Sequence, residues 1–105
     1  GQHEEAYGIY KSVVRSAPKD RRDQDIQVDS LYQIAAIDVA RGAYAEAEVA
    51  LARLVQLVPD HGSAHYTRGQ ALLHLGRVDE AQREFEIHQQ ILDAAPVDGP
   101  MAIGQ

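Results

Sequence analysis

The stretch Val28–His61, VDSLYQIAAIDVARGAYAEAEVALARLVQLVPDH, decides the fold because it is followed by its own echo. Shifted by 34 positions, Tyr32 falls on Tyr66, Gly42 on Gly76, Glu46-Ala47 on Glu80-Ala81 and Leu51 on Phe85. A fixed period of this length marks stacked supersecondary units, none of which can bury its apolar face alone. Within the stretch, Leu31, Ile34, Ala35 and Ile37 recur at helical spacing, then Tyr44, Ala47, Ala50, Leu51, Leu54 and Leu57. Gly42 separates the two runs, and Pro59-Asp60-His61-Gly62 closes the second.

Working outward, the spacing predicts five helices. The first covers 1–17, on Ala6, Ile9, Tyr10, Val13, Val14 and Ala17, and Pro18 ends it. The second covers 26–41. Asp23 or Asp25 could cap an early start, and Asp29 or Ser30 a late one. The third covers 44–57. The fourth covers 63–75, capped by Ser63, and the fifth 78–93, with Asp79 paired to Arg83 one turn on. Gly42 and Gly76 are expected at helix C-termini in the left-handed conformation. Period-2 alternation is nowhere sustained, so no sheet is expected. Residues 97–105 are expected to be an irregular tail.

The totals fit one globular domain of 105 residues, with 45% hydrophobic and 25% charged residues. Formal net charge is −6, which argues against nucleic acid as the main partner. Residues 1–22 carry five basic and three acidic side chains, net +2, so an anionic ligand would meet Lys11, Arg15, Lys19, Arg21 and Arg22; a solvated helix face is the favoured reading. Without cysteine there are no disulfides, thiolate metal sites or cysteine nucleophiles. No apolar run approaches the ~18 residues of a membrane span. Gly1 in place of methionine points to a piece cut or processed from a longer protein, so the absence of a leader says little about compartment. A cytoplasmic location is weakly favoured.

The chain resembles tetratricopeptide repeat proteins, whose unit is a 34-residue helix–turn–helix. With Val28 and Gly62 as position 1, the small residues of positions 8 and 20 are Ala35 and Gly69, then Ala47 and Ala81. The large apolar residue of position 24 is Leu51 and Phe85, and the proline of position 32 is Pro59. Ala6, Tyr10 and Pro18 fit positions 20, 24 and 32 of a preceding unit. The resemblance implies an all-α, right-handed solenoid of antiparallel helix pairs over 1–96. It would comprise a half repeat at 2–18, an insertion at 19–27 and full repeats at 28–61 and 62–96. Ala6 to Ala47 is 41 residues rather than 34, so about two helical turns are added, which could lengthen the second helix at its start. Arg68 stands where leucine is usual, and its head is expected in solvent. Asp93 takes the place of the last proline.

The same resemblance implies a concave groove lined by the first helix of each unit, with an extended or helical peptide as guest. Its positions hold Asp29, Tyr32, Gln33, Ala36, Val39 and Ala40 in one unit. In the next they hold Ser63, Tyr66, Thr67, Gln70, Leu73 and His74. Two tyrosines one unit apart would offer large contact area at little rotamer entropy; packing between helices is the competing reading. The lysine–arginine–asparagine clamp by which some members hold a C-terminal carboxylate is missing. No metal or cofactor is expected, because Gly62 and a helix boundary interrupt the His61/His65 spacing. No catalytic motif is present, and the serines lie in helical or capping contexts. Three functional readings follow: a protein-interaction scaffold, self-association through bare stripes at Ala6/Ile9/Tyr10/Val13 and Phe85/Ile87/Ile91/Leu92, or a non-catalytic accessory domain of a larger enzyme.

Overall fold

The structure, a computed structural model, describes residues 2–15 and 17–94. These form five helices: α1 (Gln2–Val13), α2 (Arg21–Ala40), α3 (Tyr44–Leu57), α4 (Gly62–His74) and α5 (Val78–Ala94). There is no strand among the described residues. Each helix packs chiefly on its neighbours in sequence, α1 on α2, α2 on α3, α3 on α4 and α4 on α5. The expected tail at 97–105 lies outside the described residues.

The glycine stops repeat from unit to unit. Gly42 (φ 77°) and Gly76 (φ 79°) adopt the left-handed conformation. After α2, the Gly42 N–H donates to the Val39 carbonyl and the Ala43 N–H to Asp38. After α4, Gly76 donates to Leu73 and Arg77 to Leu72. Both are Schellman closures, in which a residue without Cβ turns back to satisfy carbonyls that the helix leaves open.

The starts differ from the sequence expectation. Asp20, and none of Asp23, Asp25, Asp29 or Ser30, caps α2: its φ is −152° and its carboxylate accepts from the Asp23 N–H at 2.8 Å. Asp23 reciprocates by accepting from the Lys19 N–H at 2.9 Å, much as in a capping box. The added residues therefore extend α2 to 20 residues, against 13 in α4. His61 rather than Ser63 caps α4, its Nδ1 accepting from the Ala64 N–H at 3.1 Å. Gly62 and Ser63 are already helical, so the capping position falls one residue before them. α1 stops at Val13, short of the expected 17. Val14, the buried residue that follows, accepts at its carbonyl from Arg53 Nη1 of α3 at 2.6 Å, a cation at the end where the helix dipole favours one.

The core sits at the helix crossings. Leu51, Leu54 and Leu72 are fully buried, and so are Ala35, Ala47, Ala64, Ala71 and Ala81. The small residues are where helices touch. At Gly69 a Cβ would lie 2.5 Å from the Phe85 ring, so the α4–α5 crossing requires glycine, and the large Phe85 fills the space it leaves.

Candidate functional site

α2 and α4 carry the positions expected to face a groove, and all of them are at least partly open to solvent. Asp29, Ala36 and Ala40 are exposed and Tyr32, Gln33 and Val39 half-buried. In the next unit Ser63, Tyr66, Gln70, Leu73 and His74 are exposed and Thr67 half-buried. Helical spacing explains this: the buried Leu31, Ile34, Ala35 and Asp38 occupy one side of α2, and Gln33, Ala36 and Ala40 the other.

The residues do not all converge. Gln33, Ala36 and Ala40 line a cavity of about 620 Å³ with Ile37 and Arg41 of the same region and Glu4, Ala6 and Tyr10 of α1. Sequence reasoning assigned the α1 side of this cavity to a bare stripe and did not connect it with the groove. The signal was available, since Ala6 and Tyr10 match Ala47 and Leu51, which are fully buried. Two of its lining residues, Arg41 and Glu4, pair at 3.9 Å, and both side chains are well exposed. Leu73 lines a separate cavity of about 420 Å³ with Val78, Gln82, Phe85, Glu86 and Gln89.

The aromatic residues are tied into the scaffold as well as open. Tyr32 stacks on His61 with centroids 5.5 Å apart. Tyr66, 44% exposed, tilts against Phe85 at 5.6 Å and His88 at 5.1 Å. His74 lies flat on Tyr44 of α3, 4.1 Å between centroids and 2° between planes. Each ring thus packs on a neighbouring side chain, while Tyr32 stays half-buried and Tyr66 exposed.

Away from the groove, a chain of charges runs across three helices. Arg68 is not solvated as expected. Its guanidinium bonds Glu48 of α3 through Nε and Nη2, both at 3.0 Å, and Glu84 of α5 at 3.2 Å. Glu48 and Glu84 side chains are 13% and 9% exposed, so both carboxylates lie largely out of solvent within this chain. Arg77 extends it, reaching Glu48 at 3.6 Å. Two hydrogen bonds of 2.8 and 2.7 Å to Glu80 lower that carboxyl from its ordinary value. Arg77–Glu80 is the first-turn pair of α5, in place of the expected Asp79–Arg83. His65, 5% exposed, completes the chain with Nδ1 on Glu84 (2.8 Å) and Nε2 on the Pro59 carbonyl (2.7 Å). His88 holds the Gly62 carbonyl at 3.0 Å.

Among the described residues, no three or more histidine, cysteine or acidic side chains stand together as a metal site. No helix there is long and apolar enough to cross a membrane. The five basic residues of the first segment are exposed, and Arg21 is paired with Asp25 at 3.6 Å.

Comparison with curated proteins and with solved structures returns no match. A family model described as tetratricopeptide repeat matches residues 38–101, more than half of the chain. That span takes in the first Schellman closure, the hairpin α3–α4, the glycine notch at Gly69 and α5, and on this match the chain belongs to the tetratricopeptide repeat family.

Proposed function

We propose that this chain is a scaffold that holds a peptide or partner surface against the solvent-facing side of α2 and α4. Repeats of this family in general mediate protein–protein interaction and are typically non-catalytic. The observation that carries the reading is the 620 Å³ cavity between α1 and α2. It is walled mainly by Ala6, Tyr10, Ala36, Ile37 and Ala40, with Glu4 and Arg41 at its edge: an apolar floor with a polar rim.

Two variants test it. Ala36→Arg fills the cavity from an exposed helical position and should leave folding intact. Tyr32→Ala with Tyr66→Ala removes the paired rings. Proteins captured by the natural chain should be lost from both variants at unchanged circular dichroism, and equal capture by all three rejects the groove.

Self-association is a second reading, favoured by one observation. Ile9 on α1 is 63% exposed and Leu92 on α5 54%, so both terminal helices carry bare apolar side chains. Light scattering at several concentrations separates the two readings, and a strict monomer rejects the second.

A further inference from the structure

The buried side of α2 encloses a different cavity, of about 290 Å³, together with α1 and α3. Its walls are mainly apolar, from Val14, Leu31, Ile34, Val49 and Ala50. Asp38 stands in this wall, 1% exposed, and neither carboxylate oxygen makes a hydrogen bond. The Tyr7 hydroxyl is near enough to favour the charged carboxylate, but it does not meet either oxygen with hydrogen-bond geometry. Buried polar groups are nearly always satisfied, and one that is not asks for a reason.

Among the described residues, no neighbouring cation forms an ion pair with Asp38, although Arg41 and Lys11 favour its charged form from farther away. Arg53 donates to the Val14 carbonyl at 2.6 Å and to Gln27 Oε1 at 3.4 Å. Lys11 Nζ and the Arg41 guanidinium lie over the Tyr7 ring, 5.1 and 4.9 Å from its centroid. Glu46 also lines the cavity, as do Lys11 and Arg53, so Asp38 is the buried acid in a wall that carries both signs of charge. The internal repeat shows that the scaffold does not need an acid here, because the same position one unit later is the fully buried Leu72.

We propose that this cavity receives the arginine side chain of a protein partner, with Asp38 as its counter-ion. Neither Asp38 oxygen makes a hydrogen bond, so both can accept from the fork of a guanidinium. A guanidinium is weakly hydrated, so it loses less than an ammonium on leaving water. The methylene stem finds Ile34, Val49 and Ala50 on the wall. Entry to so buried a carboxylate requires a wall side chain to turn aside, and the half-buried Tyr7 is placed to do so. The site lies on the other side of α2 from Gln33 and Ala36 and is independent of the groove.

The probe is N-acetyl-arginine methylamide, with the uncharged and isosteric N-acetyl-citrulline methylamide as control, titrated into 15N-labelled protein. The arginine compound should give saturable shifts at the Ile34, Asp38 and Ala50 amides. Half-saturation is expected on the order of millimolar, as for other ligands of this size. Binding should weaken at least tenfold in Asp38→Asn, and the citrulline compound should produce no saturable shift. Equal response to both compounds, unchanged affinity in Asp38→Asn, or absence of saturation overturns the proposal. Should Asp38→Asn unfold, Asp38→Leu restores the residue that the second unit carries, and undiminished binding by that variant overturns it equally.

Discussion

Two equivalent junctions of this molecule solve the same packing problem in opposite ways. At α1–α2–α3 the facing residues are Leu31, Ile34 and Ala50, and the acid is Asp38. At α3–α4–α5, one unit on, the same rungs are His65, Arg68 and Glu84, and the acid is replaced by Leu72. Polarity is inverted at all four positions. The second junction is charged but complete: His65, Glu84, Arg68 and Glu48 hand one hydrogen bond to the next across three helices. The first is apolar at the three matching rungs but holds a buried carboxylate with no hydrogen bond, beside a cavity. One backbone arrangement thus accepts a finished polar network or a greasy seam. What it does not absorb without consequence is a single buried acid.

The largest expected effect comes from interrupting the finished network. Arg68→Ala leaves Glu48 and Glu84 facing each other across a buried gap and should destabilise by about 3 kcal/mol in urea unfolding. Importing the residues of the first junction together, His65→Leu with Arg68→Ile and Glu84→Ala, should recover most of that loss. A triple variant no better than Arg68→Ala would break the equivalence of the two junctions.

Next is the notch. Gly69→Val drives a branched side chain into the Phe85 ring and should cost about 2 kcal/mol by the same measurement. Its counterpart Ala35, fully buried beside the smaller Leu51, already accommodates a Cβ.

Asp38→Leu should act in the other direction, raising stability by about 1 kcal/mol near pH 7. Burial, followed by the nearby Glu46, raises the Asp38 pKa above its ordinary 3.8, against the opposing pull of Tyr7, Arg41 and Lys11. A carboxyl raised on folding contributes its full stability below the unfolded pKa and loses it as pH climbs through the folded one. The advantage of Asp38→Leu over the natural chain should therefore shrink as the pH is lowered from 7 toward 4. Melting curves at both ends of that range check the sign.

The smallest effect concerns the opposite side of the hairpins. His74 lies on Tyr44, where the first unit has only Ala40. His74→Ala should cost about 0.5 kcal/mol, since the ring is exposed, and thermal melts resolve that much.

How much of this was legible depended on how local each cause is. The glycine closures and the span of α3 follow from rules that reach only a few residues, and these agree with the structure. The cap of α2 was missed because the added residues broke the register and offered several acids. The deciding factor was the extended backbone at Asp20 just after Pro18, which composition alone does not reveal. The cap of α4 was placed at Ser63 because serine is a common cap, whereas the helix already begins at Gly62 and His61 takes the position before it. Arg68 was placed in solvent because its partners, Glu48 and Glu84, lie 20 residues before it and 16 after it. Groove positions were readable only through the resemblance. Tyr10 and Ile37 escaped it because their cavity forms across the inserted segment.

The unequal first helices have a practical corollary for anyone splicing this array. α2 outreaches α4 by seven residues, roughly 10 Å of rod at the standard rise. A chimera that joins foreign hairpins upstream of Asp20 inherits that overhang as an uneven rung, whereas one that joins them after Gly42 inherits a regular ladder.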